Sequence, residues 1–111
     1  MLNESRLDHA FQALADPTRR AMLARLSRGP ASVSELARPL PMSLPAVLQH
    51  LKALEDSGLI RTEKKGRVRT AELQGDNLGQ AERWLTDRRT EWEAQADRLE
   101  NLLAKLQETG E

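Results

Sequence analysis

The chain has 111 residues, equal numbers of acidic and basic residues, and no cysteine. This length is typical of one small domain, and the lack of cysteine excludes disulfides and thiolate metal sites. Because the sequence has no apolar run long enough to cross a membrane and no secretory leader, we expect a cytoplasmic protein without membrane association. The charge is uneven: residues 1–75 hold 12 basic and 8 acidic residues (+4), and residues 76–111 hold 5 and 9 (−4).

Four helices are predicted in the first half of the chain. The first has apolar residues at i, i+3, i+4 and i+7, namely Leu7, Ala10, Phe11 and Leu14. The second begins at Asp16-Pro17, an N-cap followed by a proline in the first turn, and ends at Gly29-Pro30. A short third helix starts with the capping-box pair Ser32 and Glu35. Ser43 caps the fourth, which runs to about Ser57 before Gly58 at the C′ position. Its buried face is expected to hold Leu44, Val47, Leu51 and Leu54.

The second half of the chain predicts a β-hairpin and a long helix. Residues 59–63 and 68–72 have the pattern of strands, and Gly66 lies in the tight turn between them. A helix from about residue 78 to residue 106 follows, with two heptad-like seams. The seam residues are Leu78, Leu85, Trp92, Leu99 and Leu106, then Ala81, Arg88, Gln95 and Leu102. The element order therefore predicts a mainly α protein with a small β-hairpin.

A short capped helix, a proline-containing turn and an amphipathic helix are together typical of a helix-turn-helix. The second helix of such a unit enters the DNA major groove. Gln49 carries the amide that reads adenine, and Leu44, Pro45 and Leu48 suit thymine methyl groups. His50 falls beside the apolar stripe, which indicates packing or a phosphate contact. A polar helix face alone is ordinary, so the argument needs a second feature.

The hairpin supplies that feature, because residues 61–69 carry five cations against Glu63, a net +4. A basic hairpin alone is typical of a solvated turn. Placed directly after a helix-turn-helix, it is suited to reach phosphates or a minor groove. The two features together predict binding to double-stranded DNA.

The stretches "FQALADPTRRAMLARL", "SVSELA", "SLPAVLQHLKALEDSGLI" and "KKGRVRTAEL" resemble the ArsR/SmtB-type winged helix-turn-helix transcriptional repressors. The resemblance covers residues 9 to 75 closely and is strongest to a branch often encoded beside START-like (SRPBCC) proteins. It implies a homodimer on a palindromic operator. One domain over 1–111 is expected, with dimerisation helices at 1–15 and 76–108, the helix-turn-helix at 32–57 and a wing at 59–73.

The resemblance also implies roles for individual residues. The candidate DNA contacts are Ser43, Leu44, Pro45, Gln49, His50 and Lys52 on the helix, and Lys64, Lys65, Arg67 and Arg69 on the wing. The candidate dimer-interface residues are Leu7, Phe11, Leu78, Leu85, Arg88, Trp92, Leu99 and Leu102. Many members carry a small polar residue at the position of Leu48, so side-chain readout is reduced there.

A metal sensor is not expected, since the family's metal members use cysteines or several His and Asp ligands. The only histidines here are His9 and His50, on different helices, so neither metal nor cofactor is predicted. Trp84, Arg88 and Trp92 are spaced i, i+4, i+8, which fits dimer packing or one wall of a pocket for an unknown small-molecule effector. An enzyme is excluded by the absence of a phosphate loop or a plausible triad. The alternative is a protein-interaction module using the last helix.

Overall fold

A computed structural model of the chain describes the backbone of residues 2–109 and the side chains of residues 6–108. It confirms a mainly α fold with a small antiparallel sheet. The elements are, in chain order, α1 (Leu2–Leu14), α2 (Pro17–Leu26), β1 (Ala31–Ser32), α3 (Val33–Ala37), α4 (Leu44–Asp56), β2 (Ile60–Lys65), β3 (Val68–Leu73) and α5 (Gly75–Thr109). Among these, β1 was not predicted, and α5 begins three residues before the expected Leu78.

The sheet has the strand order β1-β3-β2, so the expected hairpin gains a third, short strand. In β1, Ala31 pairs with Ala71 of β3, and this strand is only two residues long. Such a length shows no period-2 alternation, which is why the sequence did not predict it. At the other end of the hairpin, Lys65 pairs with Val68 and Gly66 takes a φ of 62° in the turn.

The predicted helix N-caps are present. The Asp16 carboxylate accepts a hydrogen bond from the Arg19 amide at 3.0 Å, and the Ser43 hydroxyl accepts one from the Ala46 amide at 3.3 Å. Ser32 and Glu35 form a reciprocal capping box. The hydrogen bond from the Arg19 amide lowers the pKa of Asp16 below its ordinary value, and the hydrogen bonds from Ser32 lower the pKa of Glu35 in the same way.

The end of α4 is set by Gly58, whose φ is 77°. The Gly58 amide donates to the Glu55 carbonyl at 2.9 Å, and the Leu59 amide donates to the Leu54 carbonyl at 3.1 Å. These two bonds form a Schellman motif, which satisfies carbonyls that a helix end leaves unpaired. The side chain of Asn77 donates to the Ser57 carbonyl at 3.1 Å and occupies the space that a Cβ on Gly58 would need. The turn from α4 into β2 is therefore closely specified.

The hydrophobic core lies where α1 to α4 pack on the sheet. Leu54 and Val47 are completely buried, and each large side chain removed from water in this way contributes about 1.5–3 kcal/mol. The expected buried face of α4 needs one correction: Leu44 is 54% exposed. It lies in the first turn of α4, beyond the core. The core residues are Ala10, Ala13, Met22, Leu26, Ala31, Leu36, Val47, Leu51, Leu54, Leu59, Ile60 and Ala71.

The chain forms two compact units, one up to residue 81 and one from residue 82 onwards. The first holds the core, the sheet and the first two turns of α5. The second is the remainder of α5, in which nearly every described side chain is exposed. Across the described residues, no helix combines the length and apolarity that a membrane span requires. One domain over the whole chain stays a prediction.

Candidate nucleic-acid interface

The outer face of α4 presents the side chains that were predicted to contact bases. Burial of Val47, Leu51 and Leu54 fixes the rotation of the helix about its axis. The opposite face then points to solvent, as the 3.6-residue period requires. The exposed residues on this face and at its N-cap are Ser43, Leu44, Pro45, Leu48, Gln49 and Lys52. All but one of the helical candidates are thus accessible to a ligand, and His50 is the exception.

His50 is half-buried and lies against the start of α2. Its Nδ1 accepts a hydrogen bond from Arg19 Nε at 3.2 Å and is 3.9 Å from the Asp16 carboxylate. An accepting Nδ1 places the proton of the neutral ring on Nε2. Arg19 also donates to the Gln12 carbonyl at 3.4 Å, so His50 belongs to a polar cluster that joins α1, α2 and α4. This geometry favours the packing role over the phosphate contact.

The wing, residues 60–73, consists of β2, β3 and the turn between them. Lys64, Lys65, Arg67 and Arg69 are all exposed on it. Among the described residues, the side chains of Lys64, Lys65 and Arg67 form no hydrogen bond or salt bridge, whereas the Arg69 side chain donates to the hydroxyl of Thr62 at 3.0 Å. The candidate wing cations therefore differ in how they are held.

A groove of about 360 Å³ lies between the N-terminal half of α4 and the wing. Leu44 and Leu48 line its helical side, and the residues on its other sides come from the wing and from the start of α3. This groove brings together candidates from two elements that are about 20 residues apart in sequence. Ser43, Gln49 and Lys52 lie outside it. The remaining lining residues are Ser32, Val33, Ser34, Lys64, Arg67, Val68 and Arg69.

Two contacts of the wing were not foreseen from the sequence. Glu55 of α4 accepts hydrogen bonds from both the amide and the hydroxyl of Thr62. Arg61 forms a salt bridge with Glu72 across the β2–β3 pair. The salt bridge between Arg61 and Glu72 could have been predicted from the sequence, because the hairpin register places these opposite charges across from each other. The first contact requires the packing of α4 against β2, which no local pattern encodes.

The second unit carries an exposed apolar stripe. Leu85, Trp92, Leu99 and Leu102 are each more than half exposed, and Trp92 reaches 75%. The Arg88 guanidinium lies 5.0 Å from the ring centre of Trp84 and donates to Glu91 at 2.9 Å. In the first unit, Leu78 is 38% exposed, and Leu7 and Phe11 are half-buried.

Metal ligands are not grouped in the described residues: no three His, Asp or Glu side chains there are arranged to hold an ion. His9 lies beside a shallow pocket of about 240 Å³ formed by α1, α2 and α4, and His50 is directed to Arg19. Arg19, which donates to His50, also lines the pocket beside His9.

Comparison with known proteins places the chain in a family. A helix-turn-helix domain model matches residues 14–63. The crystal structure of an ArsR family transcriptional regulator is 54% identical and superimposes with a TM-score of 0.77, covering 81% of this chain and 93% of that one. This chain belongs to the ArsR family. The resemblance noted in the sequence is confirmed, and so is the winged helix-turn-helix fold.

Other relatives of this ArsR-family chain agree. The HTH-type transcriptional regulator Rv2034 of Mycobacterium tuberculosis is 51% identical over 71 residues, 64% of this chain and 66% of that protein. The transcriptional repressor SdpR of Bacillus subtilis is 31% identical over 61 residues, 55% of this chain and 68% of that protein. The matches thus span about two thirds of these curated relatives. An ArsR-like regulator from Rhodococcus sp. RHA1 is 32% identical, with a TM-score of 0.76 over 92% of this chain and 96% of that one.

These relatives support the functional prediction at the level of class. The chain is a helix-turn-helix transcriptional regulator, which is a DNA-binding and non-enzymatic class. The alternative, a protein-interaction module that works through the last helix, is not favoured.

Proposed function

We propose that the protein represses transcription as a homodimer that places one α4 helix in each half-site of a palindromic operator. The observation that carries this proposal is the groove in which the exposed start of α4 faces the cations of the wing. A helix-turn-helix places its second helix in the major groove, and the adjacent wing then lies close to the phosphates beside it. The chemistry of each surface suits the part of DNA that it would meet.

The helix and the wing have different tasks in this proposal. Gln49 and Ser43 read base edges by hydrogen bonds, and Leu44, Pro45 and Leu48 contact thymine methyl groups. The wing cations displace counterions from the phosphates, which gives an affinity that falls steeply with salt. Lys52 is exposed one turn beyond Leu48 and serves as a further phosphate contact.

The homodimer is supported by the apolar stripe on the second unit. A monomer rarely exposes a large contiguous apolar patch without a partner for it. Nε of Arg88 is covered and has no hydrogen-bond partner among the described residues, and an acceptor from a second copy would satisfy it. We therefore propose that α5, together with α1, forms the dimer interface. This places Trp84, Arg88 and Trp92 in that interface, and whether an effector also binds there stays open.

The test is a binding measurement on the DNA upstream of the protein's own gene, over a series of salt concentrations. The expected result is a complex with one dimer per palindrome, tighter than with random DNA of the same length, and weakened as salt rises. The matched control is a variant in which Lys64, Lys65 and Arg67 are replaced by Gln. Equal affinity for upstream and random DNA would contradict the autoregulation that this experiment assumes. Affinity independent of salt would contradict the role of the wing.

Dimerisation is tested separately by analytical ultracentrifugation of the wild type and of Trp92→Ala with Leu99→Ala. The wild type is expected to sediment as a dimer and the double variant as a monomer over the same concentrations. Both residues are exposed in the single chain, so their replacement removes no core packing. A wild type that stays monomeric would overturn the interface assignment.

A further inference from the structure

A hydrogen-bonded chain connects the recognition helix α4 to the wing. The Glu55 carboxylate accepts from the Thr62 hydroxyl at 2.7 Å and, with the same oxygen, from the Thr62 amide at 3.3 Å. The Thr62 hydroxyl in turn accepts from Arg69 Nη1 at 3.0 Å. Three elements, α4, β2 and β3, are thus joined through one threonine side chain.

The position of Thr62 explains why this contact matters. The strand β2 is at the edge of the sheet, with β3 on one side only. The Thr62 amide donates to Glu55, so this part of the edge is covered by α4. From Thr62 the wing extends to its tip at Gly66. A two-stranded ribbon of this kind is only marginally stable by itself, so a side-chain contact near its base restricts where the tip can lie.

The cations of the wing divide accordingly into two groups. Arg61 and Arg69 are engaged within the protein, Arg61 with Glu72 and Arg69 with Thr62. Lys64, Lys65 and Arg67 lie beyond them toward the tip, without partners among the described residues. The first group holds the ribbon together, and the second is available to a polyanion.

We propose that Glu55 and Thr62 are positioning residues that fix the wing relative to the recognition helix through Arg69, and that Arg69 acts mainly in this tether and not as a phosphate contact. This proposal rests on the proposed DNA-binding function and deepens it. Fixing the wing lowers the entropy lost when wing and helix engage DNA together, which is the gain from preorganisation.

The charge of Glu55 makes the proposal easy to distinguish from simple electrostatics. Glu55 places a negative charge on the helix that would bind DNA. If it acted only through its charge, its removal would strengthen binding to any DNA, since repulsion of phosphates would fall. If it positions the wing, its removal weakens operator binding in spite of the lost repulsion. The two explanations therefore predict changes of opposite sign for Glu55→Ala, which removes both the charge and the acceptor.

The first experiment uses the free protein and needs no DNA. Amide hydrogen exchange is measured for the wild type, Thr62→Val and Glu55→Ala, with Thr62→Ser as the matched control. Thr62→Val keeps the shape of the side chain but loses its hydroxyl, and Thr62→Ser keeps the hydroxyl. We expect faster exchange in residues 60–73 for the first two variants, with unchanged protection of Leu51 and Leu54 in the core. Unchanged exchange in the wing would overturn the tether.

The second experiment measures affinity for an operator and for random DNA over a salt series. Thr62→Val and Glu55→Ala are expected to weaken operator binding by about three- to tenfold, the effect of losing one or two hydrogen bonds. Thr62→Ser is expected to bind as the wild type does. Arg69→Gln is expected to leave the salt slope nearly unchanged, while Lys64→Gln lowers it by about one for each protomer, or about two for the dimer.

Several outcomes would overturn the proposal. Stronger operator binding by Glu55→Ala would assign Glu55 a purely electrostatic effect. A drop in the salt slope for Arg69→Gln as large as that for Lys64→Gln would make Arg69 a phosphate contact. A loss of thermal stability with unchanged affinity for the operator would leave only a structural role. A wild type that does not prefer any DNA would overturn the proposed function, and with it the purpose of the tether, even if the exchange result showed the tether to exist.

Discussion

The recognition helix and the wing lie on the two sides of one groove, yet they present opposite chemistry. The exposed start of α4 carries Leu44, Pro45, Leu48 and one amide, Gln49, and little charge. The wing carries five cations within nine residues. Contacts to base edges distinguish sequences, whereas contacts to phosphates do not. We infer that the proposed function assigns affinity and specificity to different elements, so the two should be separable by mutation.

The largest effect is expected from removing the free cations of the wing. The triple variant Lys64→Gln, Lys65→Gln and Arg67→Gln loses three candidate phosphate contacts in each protomer. Affinity for operator and random DNA should both fall, by roughly two orders of magnitude, and the salt slope should fall by about one per lost contact. Fluorescence anisotropy over a salt series measures both quantities. If the triple variant lost affinity for the operator but kept its affinity for random DNA, the wing would determine specificity. This would contradict its assigned role in contacting phosphates.

The complementary variant on the helix is Gln49→Ala. A bidentate contact to a base is worth about 1–3 kcal/mol of discrimination against the wrong base, so operator affinity should fall by that amount. Random DNA should be bound as before, because Gln49 carries no charge. The measurement is the ratio of the two affinities, with Gln107, which is exposed on α5 outside both seams, replaced by Ala as the control. An equal loss on both kinds of DNA would remove the base-reading role.

The connection between helix and wing is tested at Gly58. Gly58→Ala forces an L residue into positive φ, at a cost of about 1–2 kcal/mol, and its Cβ would meet the Asn77 amide. Gly66→Ala is the matched control, since Gly66 also has positive φ but nothing lies near its Cβ. Urea denaturation should show a larger loss of unfolding free energy for Gly58→Ala. Equal losses of unfolding free energy in the two variants would show that the Asn77 side chain can move away from the new Cβ without destabilising the fold.

Much of this fold could be predicted from the sequence, because the residues that begin and end its helices act over short distances along the chain. The N-caps Asp16 and Ser43 and the C′ glycine Gly58 each act within one helical turn, so the sequence predicted where helices begin and end. The exposure of Leu44 was predicted wrongly, because angular position on a helix does not show how far the core extends along it. The contact between Glu55 and Thr62 was missed for a similar reason. It depends on how a helix packs against a strand, which spacing alone does not define.

The smallest expected effect concerns acid stability at the start of α2, where Asp16 is the N-cap and lies beside His50. The Arg19 amide stabilises the Asp16 carboxylate and lowers its pKa in the folded state. The folded pKa therefore lies below the unfolded value of about 4. This contribution to stability is complete above that pH and is lost as the pH falls through the folded pKa. Asp16→Asn keeps an N-cap acceptor but cannot titrate.

The variant should therefore match the wild type closely near neutral pH and lose less stability as the pH falls below about 4. Urea titrations at several pH values give the unfolding free energy of the wild type and of the variant as a function of pH. The slopes of these two curves in acid are then compared. Glu35→Gln should act in the same direction, since hydrogen bonds from Ser32 lower the pKa of Glu35. Identical acid slopes for wild type and both variants would mean that neither cap is linked to proton binding. Groups other than Asp16 and Glu35 would then have to cause the loss of stability in acid. This result would not change the difference in chemistry between α4 and the wing.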